Sequence, residues 1–269
     1  MEIRIMKIGF IGCGNMGSAM LSGMLDAGRV RPQDILVTDK LLASRVNTQK
    51  KYGVGITDNN VQLAMIADII ILAVKPQFYE EVLSEIKTAV WEDKILVSIA
   101  PGKTLAWMEE VLGKPSKIIR TMPNTPAFVK EGMMGVCANK YVAKDEIELV
   151  CKLFNSFSRT EFVPESLMDV VTAVSGSSPA YVFMFIEAMA DAAVEGGMPR
   201  KQAYTFAAQA VLGCAKMVLE TGTHPGELKD MVCSPGGTTI QAVRVLEEHG
   251  MRAAVMDAMK TCLDKSRNM

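Results

Sequence analysis

Gly12, Gly14 and Gly17 stand as Gly-x-Gly-x-x-Gly between the apolar run Ile8-Gly9-Phe10-Ile11 and residues 18–25, which read as a helix. Strand, glycine turn and helix in that order are what a dinucleotide-binding fingerprint requires. Gly12 permits the tight turn, Gly14 lets the backbone approach a pyrophosphate, and Gly17 lets helix and strand pack closely. Asn15 and Met16 fall at the helix N-terminus, where free N–H groups and the positive dipole end suit phosphates. An ordinary glycine turn is the competing reading, and the full strand–helix context argues against it.

Three more segments fall where strand ends should meet such a cofactor. Asp39 lies about twenty residues past the fingerprint, where an acid bonds the ribose 2′-hydroxyl of NAD. Lys40 and Arg45 follow it and suit the 2′-phosphate of NADP instead, so the choice between the two cofactors stays open. A solvated Asp at a strand end would look the same. Ala73-Val74-Lys75-Pro76 ends the most apolar run and sets a cation on the carboxyl edge. Met122-Pro123-Asn124-Thr125-Pro126 is a proline-stiffened loop with hydrogen-bonding side chains.

The second half carries Ser234-Pro235-Gly236-Gly237-Thr238-Thr239, a small-residue loop opening a helix. Its amides suit an anion such as a carboxylate, and its two threonines add hydroxyls. Val174-Ser175-Gly176-Ser177-Ser178-Pro179-Ala180-Tyr181 reads as a second such loop. The two histidines, His224 and His249, have no triad partner and read as solvated. Hydride transfer aided by a histidine acid is therefore disfavoured. A cyclic imine, which accepts hydride readily once protonated on nitrogen, needs no such acid.

These loops must be held by two kinds of architecture. Residues 34–39, 68–74, 95–99 and 117–121 read as strands, with helices over 79–89 and 104–112 and Thr104 as an N-cap. The alternation predicts a doubly wound parallel sheet, which binds ligands beyond the carboxyl ends of its strands. After Pro164 strand-like runs stop. Residues 180–194, 201–219, 240–248 and 251–263 read as helices with wide apolar faces. Ala188, Ala192, Ala193, Ala207, Ala208 and Ala210 are small enough for close helix contact. So much apolar surface in so short a segment predicts pairing with a second subunit. The expected division is 1–163 for a cofactor domain of α/β class and 164–269 for an all-α domain.

With 49% hydrophobic residues, 22% charged and a net charge of -1, the chain is ordinary for a globular protein and gives no basic stripe for nucleic acid. No apolar run is long enough for a membrane span, and the opening predicts no secretory leader. The six cysteines make no C-x-x-C pair and no histidine stands at metal-ligand spacing, so no metal is expected. Free thiols in a reducing cytoplasm are expected, since a disulfide at Cys13 would obstruct the cofactor. The 20 methionines suit core or subunit packing.

The block from Gly226 to Ile240, with Ser175-Gly176-Ser177-Ser178-Pro179-Ala180-Tyr181, Ala73–Pro76 and Met122–Pro126, resembles the pyrroline-5-carboxylate reductase family over nearly the whole chain. The resemblance implies a Rossmann domain plus a helical domain that interlocks two subunits, dimers that often assemble into decamers, and a cytoplasmic enzyme of proline synthesis. It implies hydride transfer from NADPH, or NADH, to the C=N carbon of L-1-pyrroline-5-carboxylate. It places the substrate carboxylate at Gly236, Gly237 and Thr238 with Ser175 nearby, and the ring nitrogen at Thr239. Ala73, Val74, Lys75, Pro76 and Asn124 would border the nicotinamide, and Asn60 the adenosine ribose. Another imine or β-hydroxy-acid reductase should lack the Pro-Gly-Gly-Thr-Thr block, and a non-catalytic NAD(P) sensor could lose Thr239.

Overall fold

The computed structural model describes residues 6–268. β1 (Ile8–Ile11), β4 (Ile69–Leu72) and β5 (Ile95–Ser98) are buried at every position, as parallel strands covered on both faces must be. Around them run β2 (Ile35–Thr38), β3 (Gly55–Ile56) and β6 (Lys117–Met122). With β7 (Gly132–Ala138) and β8 (Ser158–Phe162), the sheet order is β3-β2-β1-β4-β5-β6-β7-β8, with the first six strands parallel. Ile8 is opposite both Ile35 and Ile69, so β1 is the hub and the chain reverses direction across the sheet between β1 and β4. Ligands of open α/β sheets bind at that switch point.

Strand alternation divides the core. Ile8 and Phe10 face one layer with Met20, Met24, Phe154 and Phe157. Ile11, Ile70 and Leu72 face the other with Leu63, Tyr79, Leu83 and Met108. The covering helices are α1 (Asn15–Asp26), α2 (Leu42–Tyr52), α3 (Asn60–Ile66), α4 (Tyr79–Ile86) and α5 (Leu105–Leu112), with α6 (Lys144–Phe154) after β7. Burying Met20 or Met24 stabilises the fold by roughly 2 kcal/mol each. Thr104 caps α5 as its sequence predicts, accepting from Trp107 N at 3.1 Å. α1 begins three residues before the expected Ser18, because the second half of the glycine fingerprint is itself helical.

Three strands escape the sequence reading: the two-residue β3 and the two that follow β6. β7 (Gly132–Ala138) runs antiparallel to β6, and β8 (Ser158–Phe162) runs parallel to β7, so the sheet is mostly rather than wholly parallel. β7 is apolar but broken by Gly132 and Gly135 and holds a single β-branched residue, and β8 is polar and half exposed, so neither announces itself as a strand. Gly132 is required where they meet: a Cβ there would lie 2.2 Å from Ser158 Oγ.

Composition changes at Pro164, where β8 has just ended, but the compact units divide later. One runs to Ser177 and regains the chain from Cys262, and the other is Ser178–Thr261. The intervening α7 (Met168–Val171) stays with the sheet: Met168 is buried in its core and Val171 fills the space that Gly135 leaves. Ser266 Oγ donates to Asp169 at 2.8 Å, which holds the chain end to the same unit. Residues 172–176 form a π-helical turn that takes in Val174 to Gly176 of the expected loop, and the rest of that loop from Ser178 is already helical.

The second unit is helical throughout: α8 (Ser178–Glu195), α9 (Arg200–Thr221), α10 (Pro225–Val232), α11 (Thr238–Glu248) and most of α12 (Met251–Arg267). Its own core is small. Ala190, Ala203 and Ala207 seat α8 against α9, whereas Ala188, Ala192, Ala208 and Ala210 face outward. Phe183, Met184, Phe206 and Met256 are each more than 60% exposed. Helices left this apolar on the outside require a partner surface. The stretch Glu165–Glu195 is long and apolar enough to cross a membrane by length and composition, but it is interrupted by the π turn.

Candidate active site

The glycine turn joins β1 to α1 under tight steric limits. Gly12 has φ +99°, and a Cβ there would lie 2.7 Å from the carbonyl oxygen of Ala73. At Gly17 a Cβ would lie 2.8 Å from the Gly12 carbonyl oxygen. Gly14 differs: it is exposed, extended at φ −66° and ψ −168°, and a Cβ there meets nothing within 4 Å. Gly14 is also the N-cap of α1 and offers no side-chain cap. The first-turn amides of Asn15, Met16 and Gly17 therefore have no partner within the helix and point where an anion would sit.

A cleft of about 420 Å³ opens at the switch point, lined by Gly14, Asn15 and Met16, by Ala73 to Pro76, and by Asn124. Ile99, Ala100 and Pro101 from the end of β5 complete it, with Met122, Pro123 and Gly176. Lys75 is exposed on its rim. Asn124 is buried, and its amide is committed: Oδ1 accepts from Met133 N at 2.8 Å, and Nδ2 donates to Ser175 O at 3.0 Å. Asn124 thus ties the π turn to the cleft. Ser175 Oγ donates to Val171 O at 2.9 Å.

A second cleft of about 320 Å³ collects Asp39, Lys40, Arg45, Asn60, Phe78 and Glu85. Asp39 is neither solvated nor free. Its Oδ2 accepts from Cys13 N at 3.0 Å, its Oδ1 accepts from Leu41 N at 2.9 Å, and its carbonyl accepts from Arg45 Nη1 at 2.7 Å. The carboxylate braces the glycine turn against the end of β2. The Cys13 thiol also bonds Asp39, and burial with that negative charge pushes its pKa up, so it is a poor nucleophile. Asn60 is fixed on both sides: Oδ1 accepts from Thr38 Oγ1 at 2.6 Å, and Nδ2 donates to Glu85 at 2.7 Å.

In the second unit, Gly236 has φ +69° and turns the chain into α11, whose N-cap is Gly237. A Cβ at Gly237 would lie 2.4 Å from Ser234 Oγ, so the loop accepts only glycine there without shifting. The Gly237 amide donates to Ser234 O at 3.0 Å, leaving the amides of Thr238 and Thr239 at the open helix end. His224, expected to be merely solvated, is exposed but caps α10: its Nδ1 accepts from Gly226 N at 3.0 Å.

Comparison with known proteins decides the family. Residues 165–269 match the family model described as pyrroline-5-carboxylate reductase dimerisation, and residues 7–102 match NADP oxidoreductase coenzyme F420-dependent. The chain is 55% identical over 267 residues to the pyrroline-5-carboxylate reductase of Escherichia coli K12, covering 98% of each. It belongs to the pyrroline-5-carboxylate reductase family. A pyrroline-5-carboxylate reductase structure from Coxiella burnetii superposes with TM-score 0.91 at 36% identity, covering 98% of each chain. The Plasmodium falciparum pyrroline carboxylate reductase with NADP bound gives 0.89 at 34%, covering 98% of this chain and 97% of that one.

Membership in the pyrroline-5-carboxylate reductase family gives the second unit its role as a dimerisation domain and the first its cofactor class, NADP. The first unit gathers Gly14, Asn15, Met16, Ala73 to Pro76 and Asn124 in one cleft, with Asp39, Lys40 and Asn60 in the other. Gly236 to Thr239 lie in the second unit and Ser175 in the first. The sequence reading overlooked Ile99 to Pro101, although the rule that cofactors meet strand carboxyl ends covers β5 as well. It also overlooked Glu85, whose helix carries no motif.

Proposed function

We propose that this protein reduces L-1-pyrroline-5-carboxylate to L-proline, the last step of proline biosynthesis, with NADPH as reductant and NADH as the weaker alternative. The observation that carries the reading is full-length similarity to pyrroline-5-carboxylate reductases. The first unit fits the cofactor on its own evidence, with open space at Gly14 above uncapped amides and a cleft at the switch point. When bound, the reduced nicotinamide supplies the hydride that reaches the C=N carbon.

The chain's residues bind and orient. The amides of Asn15, Met16 and Gly17, with the turn made by Gly12 and Gly14, hold the pyrophosphate. Lys40 and Arg45 take the 2′-phosphate, Asp39 braces the turn they flank, and Asn60 borders the adenosine ribose. Ala73, Val74, Lys75, Pro76 and Asn124 wall the nicotinamide. At the N-terminus of α11 the Thr238 amide takes the substrate carboxylate, and Gly237 shares the amide it gives to Ser234. Gly236 shapes that loop, and Ser175 also serves substrate binding. Thr239 Oγ hydrogen-bonds the protonated ring nitrogen, which orients the imine carbon for attack.

Residues 1–163 serve the cofactor and 164–269 serve substrate and pairing. Two chains pair through the outward apolar faces of the C-terminal helices, dimers assemble further to a decamer, and the enzyme works in the cytoplasm. The test is oxidation of NADPH and of NADH by pure protein, followed in the near-ultraviolet band of the reduced cofactor, with and without pyrroline-5-carboxylate. Imine-dependent oxidation is expected. Tight cofactor binding without turnover would refute this reductase and leave a sensor, or a reductase for a different imine.

A further inference from the structure

Tyr79 opens α4 and is fully buried, yet its hydroxyl lies among backbone polar groups rather than in the apolar layer that holds its ring. The oxygen donates to Leu72 O at 2.7 Å and accepts from Ile99 N at 3.2 Å and Ser98 Oγ at 3.3 Å. That saturates a hydroxyl, which has one proton and two lone pairs. The partners sit at the carboxyl ends of two adjacent strands. The parallel ladder between β4 and β5 ends at the pair Leu72 and Ser98. Beyond it the strands part: Ala73 and Val74 form one side of the larger cleft, and Ile99 and Ala100 form another. Tyr79 bridges the gap where backbone pairing stops. The chain of bonds continues to β6, because Thr121 Oγ1 donates to Ser98 O at 2.9 Å and the next residue, Met122, lines the same cleft.

A phenylalanine would bury the same ring without bringing a polar atom into the core. A buried hydroxyl is tolerated only when its bonds are made. Here they are made to strand ends that carry cleft walls and to nothing else. We infer that Tyr79 is a positioning residue for the nicotinamide half of the cofactor, fixing through Leu72, Ser98 and Ile99 the spacing of the cleft walls. The inference rests on the reductase reading. Tyr79 does not line the cleft and touches no reacting atom.

The test is Tyr79→Phe, which keeps the ring and leaves Leu72 O and Ile99 N unbonded. Two quantities are measured: kcat at saturating NADPH, and the dissociation constant of 2′-phosphoadenosine 5′-diphosphoribose, which lacks only the nicotinamide. The expected result is a fall in kcat of about tenfold, the effect of one lost hydrogen bond, with affinity for the fragment held within about twofold. An unchanged kcat would overturn the inference. So would a fragment affinity reduced by the same factor, because general loosening of the fold moves both. Should Tyr79→Phe fail to fold, Thr121→Val cuts the same chain of bonds one strand further on, and the same two outcomes decide. Wild-type protein that binds the fragment and NADPH but reduces no imine would refute the reductase reading rather than this role.

Discussion

Gly12 and Gly14 are two residues apart in one motif, and the structure makes their substitutions fail for different reasons. Gly14→Val adds a side chain where a Cβ has no neighbour within 4 Å, on extended backbone that any L-residue adopts. Folding free energy should change by no more than about 1 kcal/mol, the scale for putting an apolar residue at an N-cap. The same side chain fills the space through which a pyrophosphate would reach the amides of Asn15 and Met16. Each charge-assisted bond lost there is worth roughly 1.5–3 kcal/mol, so losing two weakens NADPH binding by about 3–6 kcal/mol, on the order of a hundredfold or more. Gly12→Ala inverts the pattern. Its φ of +99° is strained for alanine, and its Cβ would press on the Ala73 carbonyl at 2.7 Å. Strain of about 1–3 kcal/mol plus the contact should appear as lost stability. Thermal melts paired with NADPH titration separate the two. Normal NADPH affinity in Gly14→Val, or a melting loss equal to that of Gly12→Ala, would refute the assignment of the turn.

The other expectations are brief. Thr239→Ala should lower kcat by about tenfold or more while the NADPH dissociation constant stays put, because in the proposed reaction its hydroxyl acts on the imine; steady-state kinetics with unchanged kcat would remove it from the mechanism. Phe183→Asp combined with Met184→Asp should shift the chain toward monomer in light scattering, since both are exposed on α8 and charge opposes apolar contact; an unchanged mass would exclude that face from the interface. Burial pushes the Tyr79 phenol from 10.0 and the Cys137 thiol from 9.0 up to about 12. The unfolded chain therefore sheds those protons first as pH rises, and stability falls between pH 9 and about 12 by an amount on the order of a few kcal/mol. Denaturant melts showing no decline across that range would contradict their burial.

The fold was legible wherever burial imposed a pattern. β1, β4 and β5 are covered on both faces, and their continuous apolar runs announce them. β7 and β8 were not legible: one is broken by two glycines and holds a single β-branched residue, the other has polar residues on an exposed edge, and tertiary pairing rather than local pattern makes them strands. The π turn was hidden for a related reason. Ser175, Gly176 and Ser177 read as loop residues, but Gly176 packs against the Met122 side chain, whose flexible Cε would lie 2.8 Å from an added Cβ. Asp39 shows the limit at the level of chemistry. Its position announced a role beside the cofactor, and only the structure shows both its oxygens engaged by backbone amides of the turn and the following helix.

Helix termini connect the readable to the unreadable parts of the site. α3, α5 and α10 begin on Asn59, Thr104 and His224, each of which accepts a hydrogen bond from the first turn and satisfies it internally. α1 and α11 begin on Gly14 and Gly237, with no side-chain cap. Replacing a good cap by glycine costs a few tenths of a kcal/mol in stability, so the sacrifice is small. What is gained is an N-terminus whose amides are open to a ligand and whose approach no Cβ obstructs. In both places glycine clears the way for an anion, the pyrophosphate at α1 and, in the proposed reaction, the substrate carboxylate at α11. A serine at position 14 would cap its helix from within and compete with the ligand for the same donors, whereas at 237 its Cβ would first press on Ser234. On this reasoning, both motifs were visible in the sequence because such a helix end must forgo the residue that helix stability alone would favour.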